Sequence, residues 1–127
     1  NVKKHFYDVI PSKSFTQKIS TDLLNKCNDS NKTLIYGCGT VSDFLIKENI
    51  FNDITVCSAI NEEINQKFNN YLIKNVNSLD LTKFDLIIIS AIGYENNILK
   101  SHFNDKSVAN KILILEKEII NNIIIFK

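Results

Sequence analysis

Gly37-Cys38-Gly39-Thr40 is the stretch of this chain whose residue types and spacing can do chemistry. It follows the apolar run Thr33 to Tyr36 and leads at once into a helix-like segment, so TLIYGCGTV reads as strand, tight turn and helix start. A turn between a parallel strand and its helix needs glycine, which reaches positive φ and lets a ligand approach the main chain. The first N–H groups of the helix have no intrahelical acceptor and are open to an anion. The expected chemistry is binding through Gly37, Cys38, Gly39, Thr40 and Val41. The chain has no arginine, so any phosphate must rest on backbone N–H groups, hydroxyls or lysine.

The elements needed to position that turn can be read along the chain. Asn1 to Ser14 is an N-terminal arm with the single proline, Pro11. From Ser14 the apolar positions Phe15, Ile19, Leu23, Leu24 and Cys27 recur at helical spacing, and Asn28 to Asn31 stops the helix. Residues 1–31 are thus arm and helix, and 32–127 the remainder of one globular unit. Thr33 to Tyr36 is the first strand. Thr40 then caps a helix with Val41, Phe44 and Leu45 inward, ending near Asn49. Asp53 to Ala59 is the second buried strand, with Ile50 and Phe51 stapling its loop to the core.

Asn61 to Phe68 reads as a short helix or turn-rich loop, and Tyr71 to Val76 as one edge strand. Asp85 to Ser90 is the most strand-like segment and belongs inside the sheet, with Gly93 ending it. Tyr94 to Phe103 has helical spacing, Lys111 to Leu115 is the next strand, and Ile123 to Phe126 a last strand or part of a following element. Short unalternating apolar strands between helices imply a three-layer α/β domain with a mainly parallel sheet. In such sheets ligands sit beyond the carboxyl ends of the strands, where strand order reverses. That crest gathers Gly37 to Thr40, Ser58 to Asn61, and Ser90 to Gly93, which makes Ser58, Ser90 and Ala91 further candidate contacts.

Other reactive side chains have plainer readings. Cys38, between glycines near a helix start, is a candidate reactive thiol but reads first as a small residue in a tight turn. His5 and His102 fall in no catalytic motif. Glu62-Glu63 can face a ribose or simply begin a solvated helix, and Tyr94 can stack on a ligand or pack over the sheet end. Ser90 is the best polar contact after the glycine turn, although a hydroxyl there also caps loops. No Ser-His-Asp set, metal cluster or Walker lysine is present, so no catalytic residue is assigned and no metal site is expected.

Composition narrows the class. The 127 residues suit one domain, and Ile and Asn supply about three residues in ten, an accent attributable to coding bias and given no mechanistic role. A formal net charge of +1 from scattered lysines argues against a nucleic-acid partner. The three cysteines, Cys27, Cys38 and Cys57, lack CxxC spacing, which points to a reducing cytoplasm. No apolar run approaches the roughly twenty residues needed to span a bilayer, and no signal-peptide pattern is read at the start of the chain. A chain that begins at Asn1 and contains no methionine is expected to be part of a longer polypeptide.

Through Gly37-Cys38-Gly39-Thr40, DITVCSA and FDLIIISAIGYENNI, the segment Lys32 to Glu116 resembles Rossmann-like domains of bacterial surface-glycan proteins. These include the N-terminal nucleotide-sugar-binding domain of sugar acetyltransferases of the sialic-acid and flagellar or N-glycan pathways, and related capsule-biosynthesis modules. The resemblance implies a nucleotide or nucleotide-sugar at the glycine turn and the strand ends. A dinucleotide is less well matched: Ser42 or Asp43 stands where the fingerprint has its third glycine, and the ribose acid would fall near Ser58 or Ala59. The same loop, with Phe84-Asp85-Leu86-Ile87-Ile88, also looks like S-adenosylmethionine-dependent methyltransferases, although Ile35 and Val41 replace that family's acid and glycine. A third alternative is a structural domain that forms homo-oligomers through its helix faces or the Ile119 to Phe126 edge. A flanking catalytic domain is the partner expected under the binding reading.

Overall fold

The computed structural model describes residues 21–91 and 94–114. The arm with His5 and Pro11, the beginning of the first helix, Gly93 and the segments from Ile119 to Phe126 lie outside them. The elements are α1 (Thr21–Asp29), β1 (Lys32–Tyr36), α2 (Thr40–Lys47), β2 (Asp53–Ser58), β3 (Lys67–Phe68), β4 (Tyr71–Leu72), β5 (Lys74–Asn75), β6 (Leu86–Ile89), α3 (Glu95–His102) and β7 (Ile112–Ile114). Short 3-10 turns at Val76–Ser78, Leu81–Lys83 and Ala109–Lys111 link the later ones.

Five strands form one sheet in the order β5-β2-β1-β6-β7, and every pairing in it is parallel. This is a Rossmann-like α/β fold. The chain builds outward from β1 to β2 and β5, then crosses back to β6 and β7, so the order reverses between β1 and β6. Tyr36 pairs with Cys57 on one side and Ile89 on the other, which brings the carboxyl ends of three strands level at that switch point.

The sheet is buried on both faces, which is why its strands read as continuous apolar runs. Alternate residues feed two cores. Ile35, Leu86 and Ile88 join Cys27 of α1 and Val41 and Leu45 of α2 on one face. Leu34, Tyr36, Ile87 and Ile89 join Ile98 of α3 with Phe84, Phe103 and Val108 on the other. Phe51 is buried in the first core and Ile50 packs against it, as their place before β2 leads one to expect. With α1 contributing Cys27 and Leu24 to this core, the helix before Lys32 packs as part of the same unit.

One segment differs from the sequence reading. Tyr71 to Val76 is two strands: Tyr71–Leu72 pairs antiparallel with Lys67–Phe68, and Lys74–Asn75 pairs with β2 at the edge of the main sheet. The cause lies in Asn69 and Asn70, with φ of 51° and 69°. Left-handed backbone at both central positions gives the two-residue hairpin turn that matches strand twist. Asn61 to Asn65 is turn, as one of the two alternatives had it. Asn65 and Asn49 also have positive φ, 70° and 57°, so the four non-glycine positions of this kind among the described residues are all asparagine. Asparagine tolerates this region better than other residues with a Cβ. Part of the asparagine excess therefore has a backbone role, and Asn49 closes α2 where its end was expected.

Polar side chains tie the amino ends of the strands together. The Asp85 carboxylate accepts from the N–H groups of Asn31 and Lys32, each at 3.1 Å. Asn52 Nδ2 donates to the carbonyls of Asn28 (2.9 Å) and Ser30 (2.8 Å). Ser30 and Thr33 share a buried hydroxyl contact of 2.8 Å.

Candidate functional site

The two glycines of the turn have different jobs. Gly37 sits at φ +118°, where a Cβ would lie 2.7 Å from Ser90 Oγ and 3.3 Å from the Ala91 nitrogen. Its N–H donates to the Cys57 carbonyl at 3.2 Å, so the fold itself requires glycine here. Gly39 is exposed and lies at φ −106° and ψ −166°, extended backbone open to any residue. Glycine at that position leaves the approach to the main chain clear.

Gly39, and not Thr40 as the sequence reading has it, is the N-cap of α2, and no side chain caps the helix. Thr40 is the first helical residue and is exposed. Its displacement by one residue follows from the extended backbone of Gly39, whose carbonyl already accepts from the Asp43 N–H at 3.0 Å. The early N–H groups of α2 therefore face the crest without a protein cap. Val41 is 3% exposed and packed in the core, so it offers only its N–H. α3 likewise begins without a side-chain cap, whereas Asn75 and Asp80 cap their own short turns.

Ser90 is buried and committed to the protein. Its Oγ donates to the Tyr36 carbonyl at 2.9 Å, Ser42 Oγ donates to the Gly37 carbonyl at 2.8 Å, and the two hydroxyls also contact each other. With one hydrogen on each hydroxyl, one of them can turn from its carbonyl to the other hydroxyl, and the set ties β6, α2 and the glycine turn together. Ser58 is buried at the end of β2; its Oγ donates to Glu63 Oε1 at 2.6 Å and accepts from the Ile60 N–H at 3.0 Å. This turns half-buried Glu63 toward the crest while Glu62 stays exposed. The solvated helix start expected for this pair is replaced by a turn that aims one carboxylate inward.

A cavity of about 220 Å³ lies over the turn, lined by Gly37, Cys38, Gly39, Ser58, Glu63 and Ser90. A second of about 510 Å³ runs along α3, past Asn97, Ser101 and His102. Both are walled by Tyr36, Ile60, Ala91 and Tyr94, so they adjoin, and together they are the trough. Ile60 and Tyr94, at 53% and 54%, are two of the three large apolar side chains left exposed among the described residues. Tyr94 is therefore a wall of the trough and does not lie buried over the sheet end.

Tyr36 forms the floor. Its ring stacks on His102 at 5.9 Å and meets Phe103 edge-on at 5.8 Å. Burial, ahead of the neighbouring Cys57 thiol, pushes its hydroxyl pKa up. His102 Nδ1 lies 3.2 Å from Asn77 Oδ1. Burial, and then the negative charge of Glu63, raise the Cys38 thiol to about 11, which keeps it protonated near neutrality and makes it a small wall residue instead of a nucleophile. Among the described residues no lysine lines either cavity, and Glu63 is their one carboxylate. Asp43, outside the trough, is held below the ordinary carboxylate range chiefly by the hydrogen bond from Asn69 Nδ2, and also by Lys47.

No family model, curated protein or solved structure matches this chain. The site's chemistry must therefore come from its geometry.

The crest brings together Gly37, Cys38, Gly39, Ser58, Ser90 and Ala91, with Thr40 and Val41 beginning the adjoining helix. Ile60 joins them from the expected crest segment, and Tyr36, Asn97, Ser101 and His102 join them without having been named as ligand contacts from sequence. Their signal was present: Tyr94, Ile98, Ser101 and His102 share a helical face, but Ile98 marks that face as core. Among the described residues no group of three or more His, Cys, Asp or Glu is arranged to hold a metal, and no helix is long and apolar enough to cross a membrane.

Proposed function

We propose that the trough seats a nucleotide or nucleotide-sugar, and that the domain is a binding module of a bacterial surface-polysaccharide or glycan biosynthesis protein. The observation that carries this reading is the uncapped start of α2 opening onto a trough at the sheet's switch point, with a held carboxylate beside it. The phosphate rests on the N–H groups at the start of α2, where the helix dipole favours negative charge. Glu63 accepts from the ribose hydroxyls beyond β2, and the base lies against Ile60. Three free thiols fit the reducing cytoplasm expected from sequence.

A second reading is favoured by the lining charge. With Glu63 as the one carboxylate and no lysine lining the trough among the described residues, a ligand with a positive centre is better balanced than a polyanion. S-adenosylmethionine is such a ligand, and a methyltransferase-like role follows if it binds. A thermal-shift panel of UDP-, CMP- and GDP-sugars, NAD(H) and S-adenosylmethionine separates the readings. A bound ligand at a hundred times its Kd adds about 2.7 kcal/mol of stability. Stabilisation by a nucleotide-sugar supports the first reading, stabilisation by S-adenosylmethionine alone moves the assignment to the second, and no response at millimolar ligand removes both.

A further inference from the structure

The larger arm of the trough is not needed to hold a nucleoside or its phosphate. Phosphate at the start of α2 divides the trough into a nucleoside side, toward Ile60 and Glu63, and a second side running along α3. That second side has its own chemistry. Asn97 and Ser101 stand one helical turn apart, exposed, above the buried Ile98. Beside them lie His102 and the exposed ring of Tyr94. An amide, a hydroxyl and an imidazole are set against an aromatic wall, with no carboxylate or lysine lining this arm among the described residues.

The hydrogen-bonding state of His102 is set by its neighbour. Asn77 Oδ1 only accepts, so the 3.2 Å contact requires hydrogen on Nδ1. Stacking on Tyr36 holds the ring plane. Nε2 has no hydrogen-bond partner among the described residues, so in the tautomer with its hydrogen on Nδ1 this nitrogen is open to a ligand hydroxyl. Neutral donors and acceptors beside an aromatic face suit a ring of C–H and O–H groups, and offer nothing to offset a second phosphate or a carboxylate.

We infer that the arm along α3 is a second subsite that takes an uncharged, hydroxyl-bearing ring of hexose type carried on the nucleotide. Nε2 of His102 accepts one hydroxyl, Asn97 and Ser101 bind others, and the ring lies against Tyr94. This rests on the nucleotide reading for the other half of the trough, and it selects nucleotide-sugars over dinucleotides.

The test titrates the full chain, labelled with nitrogen-15, with UDP, UDP-glucose and methyl α-glucoside. UDP-glucose should bind more tightly than UDP, and both it and the glucoside should shift the His102 ring and the Asn97 side chain. Asn97→Ala and Ser101→Ala, at exposed positions, should each weaken UDP-glucose about threefold to tenfold and leave UDP unchanged. His102→Gln, whose amide can accept in place of Nε2, should weaken it less than His102→Ala. Equal affinity for UDP and UDP-glucose, unmoved by these variants, overturns the subsite and leaves the nucleotide reading standing. Glucoside shifts at Asn97 and His102 without UDP binding would remove the nucleotide reading and, with it, a ring carried on a nucleotide, leaving a site for the free sugar. No shift at these residues with either sugar overturns the subsite.

Discussion

The two ends of the parallel sheet use polar groups in opposite ways. At the amino ends of the strands, Asp85, Asn52, Ser30 and Thr33 direct their side chains at backbone or at each other. At the carboxyl ends, α2 and α3 begin without side-chain caps and two large apolar side chains stand in solvent around a trough. At the carboxyl end the hydroxyls of Ser42, Ser58 and Ser90 are likewise partnered, and what stays open is the main-chain N–H groups at the start of α2. Polar residues are abundant at both, so content does not distinguish a site from a staple. What distinguishes them is whether the protein supplies the partners.

The contrast breaks most sharply at Gly37→Ala. Strain at φ +118° and a Cβ 2.7 Å from Ser90 Oγ should destabilise the domain by about 3 kcal/mol in urea unfolding. An unchanged midpoint would mean that the turn can relax. This glycine thus belongs with the staples although it lies at the crest.

Asp85→Ala and Asn52→Ala come next. Each should cost about 1–2 kcal/mol in the same assay and leave every ligand response intact. A lost ligand response would couple the two ends of the sheet and weaken the division between them.

Much of this division was legible in the sequence. The unalternating runs at Thr33 to Tyr36 and Asp85 to Ser90 announced strands buried on both faces, and their spacing announced the parallel order. The glycine turn announced the crest. The hairpin at Asn69-Asn70 was hidden because asparagine stands where glycine usually marks a turn. Glu63 stood only as one of two readings because a pair of acids reads locally as a helix start, whereas the hydroxyl that turns it inward lies five residues away on Ser58. His102 and Ser101 were hidden because a helix of eight residues carries a core position and a cavity wall on adjoining faces. Periodicity reports burial and is silent on which exposed face borders a trough.

Ser58→Ala sharpens the comparison from the crest side. It removes the donor to Glu63 and the acceptor for the Ile60 N–H, at a cost of about 1 kcal/mol. Ligand affinity should fall by more than this stability loss explains, and an unchanged affinity would take Glu63 out of the site. Gly39→Ala should leave stability within about 0.5 kcal/mol, since extended backbone accepts a Cβ, while weakening any ligand that approaches the α2 start.

The smallest effects are those of pH. Asp43 has a lowered folded pKa, so its contribution is complete above the ordinary value of 3.8 and is lost as pH falls through the folded value. Asn69→Ala should flatten that acid limb. Cys38 and Cys27 are raised from 9.0 to about 11, each chiefly by burial. Their contribution is complete below pH 9.0 and is lost as pH rises toward 11. Alkaline unfolding curves of Cys38→Ser should show a weaker fall across that window, and Cys38 should label slowly with iodoacetamide near neutrality.

The central claim is that the open end of the sheet is a ligand seat and the closed end is not. Amide chemical shifts of the nitrogen-15-labelled chain, followed during titration with the nucleotide-sugars and with S-adenosylmethionine, test it most directly. The account predicts shifts confined to Gly37 to Ser42, Ser58 to Glu63, Ser90 to Ala91 and the face of α3, with Asn31, Asn52 and Asp85 unmoved. Shifts centred on the closed end, or none at millimolar ligand, would contradict it.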